Sequence, residues 1–233
     1  MRVALVTVGD ELLAGDTVNT NAAWLARQLT ERGGTVERVT AVPDRVADIS
    51  RVVNEYRAEY DAVVVTGGIG PTHDDVTMDA VAAAVGQPMK TSDAALAYIE
   101  NHRGYAREDL TEGTAEIPAG GTFIPNPEGV APGCHVENIY VLPGVPDEMR
   151  GMFGEIADQF SGTITHTETV TADEPESALL DRIEDLRERF EVTVGVYPGD
   201  HVRVKITSPD SETVEAAAAW LAERVDRPDD QSR

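Results

Sequence analysis

The chain has 233 residues, 42 of them acidic against 19 basic, a net charge of -23 and one cysteine. That length carries one large or two small domains with a real core, and the lone Cys134 excludes an internal disulfide and a cysteine-built metal cage. No apolar stretch approaches the span of a bilayer, and so acidic a surface repels nucleic acid and anionic membranes. Arg2–Val8 is an almost unbroken apolar run, predicting a parallel strand covered on both faces. It begins directly after Met1, so no signal peptide and a cytoplasmic location are expected. Gly9–Gly15 reads as a loop, and Asn21–Arg32 as a helix with Ala22, Leu25, Ala26 and Leu29 on one face. Asn19 or Asn21 suits its N-cap and Gly33-Gly34 its end. Thr35–Val42 is the next strand, Arg45–Tyr56 a helix, Ala62–Thr66 a third strand, and Met78–Val85 and Asp93–Asn101 helices. Residues 113–133, rich in Gly and Pro, are expected to be loop with a short strand at Thr122–Ile124. Asn138–Leu142 is a strand, and Pro146–Phe160 a helix opened by proline. Beyond a break at 161–163, Ile164–Thr171 reads as a strand and Glu176–Phe190 as an amphipathic helix. Val192–Pro198 and His201–Thr207 form a hairpin across Gly199-Asp200, and Glu212–Val225 closes as a helix. The order predicts an α/β three-layer sandwich with a mainly parallel sheet over 1–162, a small α+β domain over 163–228 and a polar tail at 229–233.

Residues 66–77 carry the densest signal: Thr-Gly-Gly-Ile-Gly-Pro-Thr-His-Asp-Asp-Val-Thr, directly after a predicted strand. Gly67, Gly68 and Gly70 would let the backbone approach a ligand and adopt positive φ, so that successive N–H groups converge on an oxyanion. The helix expected from near Thr77 adds unpaired N–H groups and the positive end of its dipole. Asp74 and Asp75 offer hard oxygen ligands to Mg²⁺, the usual companion of a phosphate. One glycine would be an ordinary strand-to-helix turn; three with paired carboxylates favour a phosphate site. Thr66, Gly67, Gly68, Ile69, Gly70, Pro71 and Thr72 are therefore the expected phosphate-binding residues.

Three further segments follow predicted strands: Gly9-Asp10-Glu11, Pro43-Asp44, and 142–149 with Pro143, Gly144 and Glu148. Ligands of parallel α/β sheets bind at the carboxyl ends of strands. Each segment alone is a common turn. Together they predict that Asp10, Asp44, Asp75 and Glu148 surround one phosphate-bearing ligand and its metal. His73 lies inside the glycine motif, while His102, His135, His166 and His201 lack metal-ligand spacing. Acidity, scarce lysine and few aromatics also suit a protein hydrated in concentrated salt, where repulsion is screened within about 3 Å at 1 M. The charge is accordingly read as halophilic adaptation.

Gly-Asp-Glu-Leu-Leu at 9–13, Asn-Thr-Asn-Ala at 19–22, the 66–77 motif and Leu-Pro-Gly-Val-Pro-Asp-Glu-Met at 142–149 resemble the molybdopterin-binding (MoCF) superfamily. The branch they resemble within it is that of the competence/damage-inducible CinA proteins. The resemblance implies molybdopterin or an adenine-dinucleotide-like pyrophosphate as the small-molecule ligand, with Asn21 among the binding residues and a divalent metal (Mg²⁺, Mn²⁺ or Co²⁺) nearby. Likeness to the essential carboxylates of the adenylyltransferase branch implies catalytic roles for Asp44 and Asp75. The CinA branch implies metal-dependent pyrophosphatase activity, so the expected reaction is hydrolysis of a nucleoside-diphosphate compound such as ADP-ribose. Two alternatives stand beside it: a non-catalytic molybdopterin or nucleotide binder, and a molybdopterin adenylyltransferase. The βαββα remainder resembles the KH-like second domain of that branch, although the acidic surface argues against RNA. Full-length bacterial members continue into a nicotinamide-nucleotide deamidase domain that these residues do not match, so deamidation is not expected. The superfamily also implies a homo-oligomer.

Overall fold

In chain order the first part of the molecule runs β1 (Arg2–Val8), α1 (Asp10–Ala14), α2 (Thr20–Glu31), β2 (Thr35–Val42), α3 (Val46–Glu59), β3 (Ala62–Gly67) and α4 (Thr77–Val85). It continues with β4 (Met89–Thr91), α5 (Asp93–Tyr98), β5 (Glu116–Pro118), β6 (Thr122–Ile124), β7 (Gly133–Val136), β8 (Ile139–Pro143) and α6 (Pro146–Ile156). The computed structural model describes residues 1–162 and 164–228, and the chain divides into two units, Met1–Gly162 and Thr163–Arg233.

The sheet of the first unit is six-stranded, ordered β2-β1-β3-β8-β7-β6. β1 pairs in parallel with β2 on one side and β3 on the other, and β3 pairs in parallel with β8. β7 and β6 then extend the sheet antiparallel. Val3–Val8 and all of β3 are buried, which is why neither strand alternates polar and apolar residues. Helices α2 and α6 pack together on the sheet, as do α3 and α4, giving helical layers about a central sheet. Trp24 of α2 meets Phe153 of α6 edge-on at 5.5 Å and locks the first pair. Asn19 caps α2 by accepting the Ala22 N–H at 3.1 Å.

β1 is the topological switch point: the chain leaves it for β2 on one side and returns as β3 on the other. The carboxyl ends of β1 and β3 therefore open onto a crevice that no crossover covers. The loops after those strands are the ones that carry Gly9–Glu11 and the glycine motif.

The second unit is β9 (His166–Ala172), α7 (Glu176–Arg189), β10 (Thr193–Tyr197), β11 (Val202–Ser208) and α8 (Ser211–Ala222). Its sheet is antiparallel, ordered β10-β11-β9, and Leu179, Ile183 and Leu186 of α7 share its core with Ala217 and Leu221 of α8. Asp210 caps α8 by accepting the N–H groups of Glu212 and Thr213.

Several expectations need correction. Gly9–Gly15 is not simply loop: Asp10–Ala14 coils into a short helix closed by Gly15 at φ 80, where a side chain would be strained. The helix expected over 93–101 ends at Tyr98 and passes into a π turn, Ile99–Arg103, closed by Gly104 at φ 73. The stretch 113–133 holds β5, which pairs antiparallel with β4, and Gly133 opens β7. These strands are three or four residues long, so periodicity had too little chain to act on and pairing partners decide them. The tail at 229–233 lies outside the described residues.

Candidate functional site

Thr7 and Thr66 are register partners near the carboxyl ends of β1 and β3, and both hydroxyl-bearing side chains are buried at the floor of the crevice. Thr7 Oγ1 accepts from Asn19 Nδ2 at 2.9 Å, so the cap of α2 is tied to the strand end. Asn21, two residues further on, donates from Nδ2 to the Gly144 carbonyl at 2.7 Å. Gly144 N–H in turn donates to the Gly67 carbonyl at 2.8 Å, so the loop after β8 is stitched to the end of β3. These ties divide the crevice into two recesses. The first, lined by Thr7, Glu11, Asn19, Asn21, Thr66 and Gly144, encloses about 110 Å³. The second, about 380 Å³, is lined by Gly67–Gly70, Asp75, Val130, Ala131, Pro143–Val145 and Glu148.

The glycines of the motif are required for close approach rather than for positive φ, which none of Gly67, Gly68 and Gly70 adopts. A Cβ on Gly68 would overlap Asp75 Oδ1, and one on Gly70 would lie 2.7 Å from Asp75 Oδ2. A Cβ on Gly67 would overlap Thr77 Oγ1 and come within 2.7 Å of the Val8 side chain. The half-buried Asp75 carboxylate is thus folded back beneath the loop, where its Oδ2 accepts from the Thr72 hydroxyl and from Thr72 N–H at 3.3 Å. Helix α4 starts at Thr77, whose N–H donates to the Gly68 carbonyl and whose buried hydroxyl finds no partner within the described residues.

Asp74 points the other way. Its carboxylate is 76% exposed and lies 3.9 Å from His73 Nδ1. The Thr72 hydroxyl has one proton and donates it to Asp75 rather than to Asp74. Pro71 and Thr72 border a small cavity on the far side of the loop, shared with Ile69, Gly70 and Asp75.

The four carboxylates do not gather round one ion. Asp44 Oδ2 accepts the Asp10 N–H at 2.8 Å, which ties the end of β2 to the start of α1, and neither Asp10 nor Asp44 lines a recess. Among the described residues no three of Asp, Glu, His and Cys are arranged to hold a metal. Gly9 likewise stays outside both recesses, with the Glu11 side chain turned back over it. Glu148 does line the second recess, and its Oε2 accepts from Asn126 Nδ2 at 2.7 Å. Asn126, Val130 and Ala131 fall in the Gly/Pro-rich stretch expected to be loop, where Asn-Pro-Glu-Gly at 126–129 is a turn signal. Cys134 is buried, and burial pushes its thiol up to about 12, so it is no nucleophile.

Comparison with known proteins identifies the family. Residues 4–162 match the family described as probable molybdopterin binding domain, MoCF. A protein from Archaeoglobus fulgidus is 34% identical over 96% of this chain and 97% of its own length. A CinA-like protein from Citrifermentans bemidjiense is 34% identical over 97% of this chain, which spans 58% of that longer relative. The crystal structure of the protein CinA from Thermoplasma acidophilum is 38% identical and superposes with a TM-score of 0.63, covering 68% of this chain and 97% of that one. Among the described residues no helix is long and apolar enough to cross a membrane. On the match over 4–162, with its glycine loop set at the switch point of a mainly parallel sheet, the chain belongs to the MoCF family of probable molybdopterin-binding domains, close to the N-terminal region of CinA.

Proposed function

We propose that the chain binds a nucleotide or pterin phosphate over the glycine loop and, with a divalent ion, hydrolyses the pyrophosphate of a nucleoside-diphosphate compound such as ADP-ribose. The observation that carries this reading is the Asp75 carboxylate set directly beneath Gly68 and Gly70, with room for no Cβ between them. Any phosphate seated on the loop N–H groups lies beside that carboxylate, and two negative groups so placed need a cation between them. The residues fit a loosely held ion better than a caged one. Mg²⁺ is commonly bound by one or two carboxylates together with substrate phosphates and water, and Asp75 supplies such a carboxylate. Mn²⁺ and Co²⁺ suit the same oxygen set. When bound, the ion would supply charge neutralisation at the pyrophosphate.

The protein's own share is positional. Backbone N–H groups of the loop donate to the phosphates, the first turn of α4 adds its dipole, and Asp75 fixes where the charge is held. The first recess, with its threonine and asparagine lining, suits the polar ring edge of a purine or pterin. Water adds to one phosphorus, the P–O–P bridge breaks, and ADP-ribose yields AMP and ribose 5-phosphate. In the assay, purified protein in concentrated KCl with Mg²⁺, Mn²⁺ or Co²⁺ releases AMP, and Asp75→Asn slows release by about 10²–10³-fold. AMP release unchanged by Asp75→Asn removes that residue from the chemistry.

The absence of a three-ligand metal group among the described residues favours, as a second reading, binding of molybdopterin or nucleotide without turnover. Saturable heat of binding with no product supports it. ATP consumption that requires molybdopterin would instead point to adenylyl transfer. The second unit, with its βαββα order, we read as KH-like in fold but not as an RNA module, because the chain carries a net charge of -23.

A further inference from the structure

Arg103 closes the π turn at Ile99–Arg103, far in sequence from every motif of the site. Its Nη1 donates to the Pro127 carbonyl at 2.6 Å and its Nη2 to the Glu128 carbonyl at 2.9 Å. Its Nε is buried and has no acceptor among the described residues. In a chain with 42 carboxylates, this guanidinium is spent on two backbone oxygens of one turn and carries an unpaired donor to do so. The turn it grips is wound round Asn126, which is 1% exposed. Asn126 Oδ1 accepts the N–H groups of Glu128 and Gly129, at 3.2 and 2.7 Å. Those two contacts fix the amide orientation, so Nδ2 is the atom that faces the Ala131 carbonyl at 2.9 Å and Glu148 Oε2 at 2.7 Å. Gly129 presses against the same carboxylate: a Cβ there would overlap Glu148 Oε2 and lie 2.6 Å from Asn126 Nδ2.

We propose that Arg103 and Asn126 are positioning residues, a relay that holds the 126–131 turn and Glu148 as one wall of the recess beside the glycine loop. One oxygen of Glu148 is held by Asn126, which would leave the other as an acceptor for hydroxyl or amino groups of a ligand in the recess that Glu148 lines. The ligand side of this inference rests on the proposed function; the relay itself does not. Glu148 on this account is an acceptor for the ligand in the recess that it lines. Val130 and Ala131, which the same turn presents, supply the apolar part of that wall.

Two measurements on the full chain test it. In the ligand-free protein, NMR-detected amide exchange at Gly129 should quicken at least about tenfold in Arg103→Gln, with the overall melting temperature little changed, because a tenfold change corresponds to about 1.4 kcal/mol of local opening. The second is a double-mutant cycle in ADP-ribose binding with Mg²⁺, read by calorimetry. Asn126→Asp places a second carboxylate against Glu148 and should weaken binding about tenfold at pH 8, with recovery as the pH falls and the pair shares a proton. On a Glu148→Gln background the loss should shrink and no longer depend on pH, since the repelled charge is gone and only the lost contact to the Ala131 carbonyl remains. Additive losses in the cycle, or Gly129 exchange indifferent to Arg103, would overturn the relay. No ADP-ribose binding by the parent chain, with Gly129 exchange still dependent on Arg103, would sink the proposed substrate and uphold the relay.

Discussion

At the scale of single residues, the glycine loop separates two kinds of crowding. A Cβ at Gly67 would strike Val8 and Thr77 in the buried floor, so Gly67→Ala should lower stability by about 1–3 kcal/mol, seen as a reduced denaturation midpoint. At Gly68 the obstacle is chiefly the carboxylate end of Asp75, a side-chain tip that can move at the cost of its Thr72 contacts. Gly68→Ala should therefore leave most of the stability intact and abolish binding, because it evicts the acid from beneath the loop. Equal damage to stability from both substitutions would mean that Asp75 is not held as described. Thr77 offers the complementary test. Its buried hydroxyl has no partner among the described residues, so Thr77→Val should keep or raise the melting temperature. A marked fall in melting temperature would show that the hydroxyl is already satisfied in the free protein.

At the scale of elements, an ion pair ties α7 of the second unit to the segments that flank it. Arg182 of α7 donates from Nη1 to Glu174 Oε1 at 2.8 Å and also reaches the Arg224 carbonyl, while Glu174 accepts the Asp226 N–H at 3.0 Å. Arg182 first, and then that backbone N–H, hold the Glu174 carboxyl below its ordinary value of 4.5. A lowered carboxyl stabilises the fold fully above 4.5 and loses that contribution as the pH falls through its lower folded value. Arg182→Gln should consequently melt a few degrees below the parent at neutral pH, with the gap closing on acidification; a gap independent of pH would contradict the assignment. The long elements were legible because β1, β3 and α2 carry unbroken or helical apolar patterns of six to twelve residues. The glycine motif was legible because backbone contact restricts the residue type at several adjacent positions. The convergence of four carboxylates was inferred from strand order alone. It failed because Asp44 serves its neighbour's N–H, a local bond that strand order does not encode. The tie of Asn126 to Glu148 carries no signal in the sequence, because the two lie 22 residues apart and only the fold joins them.

At the scale of the whole molecule, a net charge of -23 opposes any association of copies in dilute buffer. We propose a homo-oligomer that forms in molar KCl, where the screening length is about 3 Å, and weakens as salt is withdrawn. Light scattering across a salt series should show the mass fall with dilution of the salt; a monomer at every salt concentration would rule out the oligomer. The same field bears on the proposed phosphate ligand, an anion that would have to enter an anionic protein. On the proposed function, backbone N–H groups of the glycine loop and a cation shared with Asp75 would override the global repulsion locally. The most direct test is a crystal structure of the chain grown with AMP and Mn²⁺. The account predicts phosphate oxygens within about 3 Å of the N–H groups of Gly68–Gly70 and anomalous density for the ion beside Asp75. Phosphate bound away from the loop, or the ion seated on Asp44 and Asp10 instead, would contradict it.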